Sequence, residues 1–169
     1  MRHLTIMVGM LAALWLVPAA AQTERLEVKD WQVFVEPQFG TQVDYPADVF
    51  SHSGGQSERG VGERFRTADS DAILEVYSLP NDPQFTPDSF LRANLQMPRS
   101  ALQYQRVTPS FFAISNVRDG VIYYSRCNFS RSPRPLISCI DLKYPEEQER
   151  AWDDVVTRIS RSLRPLDRG

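Results

Sequence analysis

The side chain best suited to acid–base chemistry in this sequence is His52, since an imidazole titrates near neutral pH. Ser51 and Ser53 flank it, so a hydroxyl that could act as a nucleophile stands on either side. Neighbouring side chains in an extended segment point in different directions, which argues against a Ser–His pair. The other histidine, His3, lies in an N-terminal segment that we expect to be removed. His52 is therefore predicted to be a solvated loop residue.

Carboxylates offer a second kind of chemistry. Asp44, Asp48 and Glu63 lie on both sides of the same segment, and paired carboxylates could perform acid–base hydrolysis. Their spacing does not by itself bring any two of them together, so a carboxylate-based hydrolase is kept as an alternative function. Asp69 and Asp71 flank a predicted turn, where acids commonly form local backbone hydrogen bonds. A weak calcium site is the alternative, which the small number of oxygen ligands there disfavours.

Other patterns typical of ligand binding are weak. The glycines at 54–55 and 60–62 are too sparse to cradle a phosphate, and a predicted strand rather than a helix follows them. Arg64 and Arg66 share one face of that strand and are predicted to be solvated, with an anion site as the alternative. The mature chain has one histidine and no cluster with metal-ligand spacing, which removes most zinc and cysteine chemistry, so we expect no metal and no cofactor. No other stretch has the pattern of a catalytic site, which favours a protein without enzymatic activity over the hydrolase.

The longest regular pattern is an antiparallel meander of three strands, predicted over residues 111–117, 121–129 and 136–143. Asp119-Gly120 supplies the positive φ angles of a tight hairpin turn, which places Phe112 opposite Cys127 and Asn116 opposite Tyr123. Prolines in the segment 130–135 end the second strand.

The two cysteines of the chain both lie in this meander. A turn centred on Pro133 places Cys127 directly across from Cys139, where the Cα separation suits a disulfide. We predict that bond, with two reduced core cysteines as the alternative.

Both faces of the meander are predicted to be covered. The apolar residues that point one way are Phe112, Ile114, Cys127, Phe129, Ile137 and Cys139, and those that point the other way are Val117, Ile122, Tyr124, Leu136, Ile140 and Leu142. A helix from Pro145 to about Arg164 supplies one cover, because its apolar residues recur at helical spacing. They are Trp152, Val155, Val156, Ile159 and Leu163.

The rest of the chain predicts shorter elements. Strands are expected over 28–35, 39–46, 61–67, 72–79 and 102–108, and a short helix is expected to start at Thr86 and to end at Met97-Pro98. The fold class is therefore α+β, with an antiparallel β-sheet covered by helices. Residues 51–57 show no buried pattern and are predicted to form a mobile loop. We expect a binding loop over residues 50–62, formed by Phe50, His52, Gly54, Gly55 and Arg59.

The N-terminus has the pattern of a signal peptide over residues 1–21. Basic Arg2 and His3 precede an apolar run too short to span a membrane, and Ala19-Ala20-Ala21 forms a small-residue cleavage site. Cleavage leaves 18 basic against 21 acidic residues in 22–169, a net charge of −3 that gives no electrostatic case for nucleic acid. We expect one domain of about 150 residues, periplasmic or secreted, with no transmembrane segment in the mature chain.

Several short phrases resemble those of exported proteobacterial proteins with a PsbP-like fold, an α/β/α sandwich. The phrases are Phe39-Gly40-Thr41, Val43-Asp44-Tyr45-Pro46-Ala47, Phe65-Arg66-Thr67, Phe111-Phe112-Ala113-Ile114-Ser115, Ile122-Tyr123-Tyr124 and Ile159-Ser160-Arg161-Ser162-Leu163-Arg164-Pro165. The resemblance implies a scaffold without enzymatic activity that binds another protein, here an envelope protein. A carboxylate-based periplasmic hydrolase and a carrier of a small apolar ligand are the alternatives.

Overall fold

The computed structural model describes residues 25–130 and 135–165. The predicted signal peptide and the centre of the turn after Ser130 lie outside these ranges. The strands, in chain order, are β1 (Trp31–Val35), β2 (Thr41–Pro46), β3 (His52–Gln56), β4 (Val61–Arg66), β5 (Ile73–Pro80), β6 (Tyr104–Val107), β7 (Phe111–Arg118), β8 (Val121–Phe129), β9 (Leu136–Pro145) and β10 (Arg164–Pro165). The helices are α1 (Pro87–Asn94) and α2 (Glu149–Ser162), with 3-10 turns at Arg99–Ala101 and Glu146–Gln148.

The strands form two antiparallel sheets. The large sheet has the order β3-β4-β5-β9-β8-β7-β6, and the small sheet has the order β1-β2-β10. The predicted hairpin register is confirmed, since Phe112 lies opposite Cys127 and Asn116 opposite Tyr123. Asp119 and its neighbour Gly120 adopt positive φ angles of 54° and 73°, as the tight turn requires.

The predicted disulfide is confirmed. Cys127 and Cys139 are directly opposite on β8 and β9, with their Cα atoms 4.1 Å apart and their sulfur atoms bonded. Both side chains are almost fully buried under α1, so the bond joins two central strands inside the apolar core.

Helix α2 and the small sheet cover one face of the large sheet. The apolar stripe of α2 is buried as predicted, and Trp152 and Ile159 are 2% and 0% exposed. The predicted start at Pro145 is wrong, because Pro145 pairs with Val121 as the last residue of β9 and a 3-10 turn separates it from α2. The helix therefore begins at Glu149.

Helix α1 covers part of the opposite face. Thr86 caps it, accepting from the Ser89 backbone N–H, and Pro87 occupies its first turn as predicted. The helix ends at Asn94, three residues before the predicted end at Met97. Its Phe90 ring contacts the rings of Phe85, Phe112 and Phe129, which join the helix to the sheet. With helices on both faces of an antiparallel sheet, the predicted α+β class is confirmed.

The prediction of a loop over 51–57 is wrong. Residues His52–Gln56 form edge strand β3, which pairs with β4 through a bulge between Ser53 and Gly55. Both faces of this strand are largely exposed, so no apolar alternation marks it in the sequence. On the next strand, a Cβ at Gly62 would lie 1.9 Å from the Val76 carbonyl oxygen, which explains a glycine where β4 approaches β5.

No helix within 25–130 or 135–165 has both the length and the apolar character needed to cross a membrane.

Candidate functional site

The α1 face of the large sheet is divided into an apolar half under α1 and a polar half beside it. The polar half forms an open groove of about 440 Å³, named here the Asp141 groove. Strands β5, β7, β8 and β9 form its floor, and the C-terminal end of α1 with the segment that follows forms one wall. Its polar lining residues are Arg59, Tyr77, Asn94, Gln96, Asn116, Arg118, Tyr123, Ser125, Asp141 and Lys143.

Asp141 is the buried carboxylate at the floor of the groove. Its side chain is 10% exposed, and both of its oxygens are engaged. Oδ1 accepts a hydrogen bond from the Ser125 hydroxyl of β8, and Oδ2 lies 2.9 Å from a guanidinium nitrogen of Arg59. Arg59 reaches the groove from the β3–β4 turn, over the ring of Tyr77, with its side chain 53% exposed. Asp141 thus holds a cation at the rim of the groove.

A second buried carboxylate, Glu75, lies directly opposite Asp141 on β5. Its Oε1 accepts from the Ser57 hydroxyl at 2.6 Å and from the Glu58 backbone N–H at 3.2 Å, and lies 3.9 Å from Arg64. Like charges on directly opposed strand residues repel. Donors from residues 57–64 offset this repulsion, since Arg59 contacts Asp141 while Ser57 and the Glu58 backbone contact Glu75. These contacts fasten the β3–β4 hairpin to the centre of the sheet.

The electrostatic setting of Asp141 is unusual for an aspartate. Burial raises the pKa of Asp141 above its ordinary value of 3.8, and the attraction of Arg59 and the Ser125 hydrogen bond only partly offset that effect. Burial, followed by the charge of Asp141, also raises the pKa of Tyr77. The protonated form of Asp141 is therefore favoured in the folded protein relative to the unfolded chain.

Replacing Asp141 with Asn should change how stability depends on pH. A folded-state pKa above the unfolded value makes the free energy of unfolding fall as pH rises from about 4 through the raised pKa. Asn cannot ionise, so we expect the unfolding free energy of Asp141→Asn, minus that of the wild type, to increase from about pH 4 to pH 7. Urea denaturation across this range measures the difference, and a difference independent of pH would contradict the assignment.

The outer rim of the groove carries further cations. The Lys143 ammonium and the Arg118 guanidinium lie 5.5 and 5.0 Å from the centre of the Tyr123 ring. Lys143 has no carboxylate within 4 Å in the described part of the chain, and the only one near Arg118 is the exposed Asp119 at 3.9 Å. The rim therefore presents positive charge around an aromatic ring, beside the buried Asp141.

The five residues of the predicted binding loop separate in the structure. Phe50 is buried, with its ring centre 5.7 Å from that of Trp152. His52, Gly54 and Gly55 belong to edge strand β3. Arg59 alone among the five lines the Asp141 groove. The Ser51 hydroxyl does lie 3.0 Å from His52 Nδ1, at an exposed position outside the groove.

The acidic residues considered for hydrolysis have separate settings. Asp44 on β2 faces Arg158 and Arg164 at 3.6 and 3.7 Å, and Asp48 accepts from the Lys29 backbone N–H. Glu63 lies exposed on β4, beside Phe34 and Glu36.

In the β4–β5 turn the Asp69 carboxylate behaves as predicted, because it accepts from the Thr67 hydroxyl and from the Asp71 backbone N–H. Across residues 25–130 and 135–165, no group of three or more His, Cys, Asp or Glu side chains is placed to hold a metal ion.

Asp141 and Glu75 were not among the site residues predicted from the sequence. Each is a single acid within an apolar strand, between Ile140 and Leu142 in one case and between Leu74 and Val76 in the other. A carboxylate at the centre of a buried strand must find hydrogen-bond donors or a cation. A single acid between apolar residues of a predicted strand was therefore the sequence pattern that could have identified both residues.

Comparisons with known proteins support the fold. No protein-family model matches the chain, and no curated protein matches it. The structure is similar to the solution structure of cyanobacterial PsbP (CyanoP) from Synechocystis sp. PCC 6803, with a TM-score of 0.59 and 13% sequence identity. The match covers 83% of this chain and 95% of that chain. The chain therefore has a PsbP-like fold, as the sequence resemblance implied.

Proposed function

We propose that this protein is an exported accessory domain of the bacterial envelope, without enzymatic activity, which binds another protein through the Asp141 groove. The main observation in support of this proposal is the arrangement of Asp141 and Arg59. A buried carboxylate holds a guanidinium that is 53% exposed at the rim of an open groove. A side chain fixed in this way is preorganised for contact with a partner, because less conformational entropy is lost on binding.

The hydrogen bonds of the two buried carboxylates favour binding over hydrolysis. Asp141 is committed to Ser125 and Arg59, and Glu75 is committed to Ser57 and the Glu58 backbone. General acid–base catalysis needs a carboxyl group within hydrogen-bond reach of the substrate. These carboxylates instead serve as acceptors for the side chains and backbone of the protein itself.

The rim of the groove supports a protein partner over a small apolar ligand. Arg59, Arg118 and Lys143 surround Tyr77 and Tyr123, and arginine and tyrosine are enriched at protein–protein interfaces. Between the sheet and α2, where an apolar carrier would hold its ligand, the space is occupied by Trp152, Ile159 and their neighbours. The disulfide supports export, because such bonds persist in oxidising compartments.

A photo-cross-linking amino acid placed in the groove tests the proposal in cells of the source organism. The cross-linker replaces Asn94, which is exposed on the groove wall, and in a control it replaces Thr157 on the exposed side of α2. We expect a specific cross-linked protein from position 94 and none from position 157. Adding Lys143→Glu should lower the yield about threefold or more, because a rim charge affects association.

The matched control for Lys143→Glu is Arg150→Glu, which makes the same change of charge at an exposed position on α2. Equal loss of cross-linking in both variants, or equal products from positions 94 and 157, would overturn the groove as the binding site.

The same cells test export. N-terminal sequencing should begin at Gln22, and a protein that begins at Met1 would contradict cleavage.

A further inference from the structure

An arginine on the opposite face of the large sheet has no acidic partner among the residues that the structure describes. Arg126 of β8 is half-buried, and its side chain donates hydrogen bonds to neutral oxygens of Asn128 and Ser160. Nε donates to Asn128 Oδ1 at 3.0 Å, and a terminal nitrogen lies 3.3 Å from the Ser160 hydroxyl. Burial, with a smaller contribution from Arg106, lowers the pKa of Arg126. A partly desolvated charge of this kind is stabilised by an anion.

A second arginine shares the same aromatic ring. The guanidinium carbons of Arg126 and Arg106 lie 4.2 and 5.4 Å from the centre of the Phe111 ring. Arg106 lies on β6 opposite the small residue Ala113, which in turn lies opposite Arg126, so one row of the sheet carries both cations. Neither arginine has a carboxylate within 4 Å in the part of the chain that the structure describes. Stacking on the Phe111 ring thus places two positively charged guanidinium groups near each other.

Arg126 lines a recess of about 240 Å³, and Arg106 contacts the Phe111 ring that forms part of its wall. Among residues 25–130 and 135–165, the lining includes no acidic side chain. Besides Phe111 and Arg126, it is lined by Ser110, Asn128, Phe129, Ser130, Ser138 and Pro165. The C-terminal end of α2 adjoins it, since the Asn128 amide donates to the Leu163 carbonyl at 2.7 Å. The partial negative charge of a helix C-terminus disfavours a phosphate dianion more than a single carboxylate.

The neighbouring edge of the sheet indicates a polypeptide. Strand β6 is the last strand of the large sheet, its outer edge is unpaired by the described residues, and Tyr104 on it is 45% exposed. An extended segment can add to such an edge through its backbone while alternate side chains contact one face. We propose that Arg126 and Arg106 bind a carboxylate of an acidic polypeptide segment that lies along β6. This site is on the other face from the Asp141 groove, so it does not depend on the function proposed for the groove.

Fluorescence anisotropy with a labelled decapeptide of alternating glutamate and valine tests this site. We expect saturable binding at low salt that weakens as salt is added, and no binding of the matching lysine–valine peptide. The double variant Arg106→Gln/Arg126→Gln should bind about tenfold or more weakly, because it loses charge-assisted hydrogen bonds. Because the Arg106 side chain is exposed, Arg106→Gln alone should weaken peptide binding without affecting folding. This single variant tests the site if proteins that carry Arg126→Gln unfold.

The matched control is Arg150→Gln/Arg161→Gln, which makes the same change in net charge at exposed positions on α2. Equal weakening by the control, or no binding to the wild type, would overturn the proposal. Inorganic phosphate and acetate serve as competitors. Displacement at lower concentration by phosphate than by acetate would overturn the carboxylate assignment and indicate a phosphate site. Backbone NMR shifts confined to β6, β7 and the part of β8 around Arg126 on peptide addition would support the placement.

Discussion

Replacing Trp152 with Ala should lower the free energy of unfolding by about 3–5 kcal/mol, the usual cost of truncating a large buried aromatic side chain. Trp152 is 2% exposed and joins α2 to the rest of the core. Its ring centre lies 5.4 Å from that of Tyr144 on β9 and 5.7 Å from that of Phe50. The cavity would therefore open where helix, sheet and the segment after β2 meet. Far-ultraviolet circular dichroism during thermal unfolding should show a midpoint lower by about 10 °C or more.

The control is Thr157→Ala, on the exposed side of the same helix. It should change the free energy of unfolding by no more than about 0.5 kcal/mol, because it removes no buried contact. A loss below about 1 kcal/mol in Trp152→Ala would show that the core can collapse around the missing ring. That result would contradict the role of Trp152 in joining α2 to the rest of the core.

Removing the disulfide should have the second largest effect. The double variant Cys127→Ala/Cys139→Ala should unfold with a free energy lower by about 3 kcal/mol, because the bond closes a short loop in the unfolded chain and so limits its conformational entropy. The bond joins β8 to β9, two strands at the centre of the large sheet. Urea denaturation of the wild type and the double variant without reductant measures the difference.

Reductant provides the control for this comparison. It should destabilise the wild type by a similar amount and leave the double variant unchanged, since the structure describes no free cysteine. Intact mass of the wild type should be two hydrogens below the reduced value. Labelling of both thiols in denaturant without reductant would contradict the bond.

The sequence by itself determined the centre of the large sheet and its disulfide. The Asp119-Gly120 turn set the β7–β8 register, and that register with the following turn brought Cys127 opposite Cys139. These features depend on residues near one another in the chain, so local turn chemistry and side-chain alternation are sufficient to predict them. The apolar stripe of α2 was predictable for the same reason, because its period of 3.6 residues is a property of the helix alone.

Only the tertiary structure decided the candidate sites. Strand β3 forms because β4 supplies backbone partners, and its own exposed residues show no period. Arg59 and Asp141 are 82 positions apart, and their pairing requires the β3–β4 turn to fold over the middle of the sheet. The setting of Arg126 likewise depends on Arg106 and Ser160 from other elements. Burial and charge partners at such distances arise from packing, which no local pattern encodes.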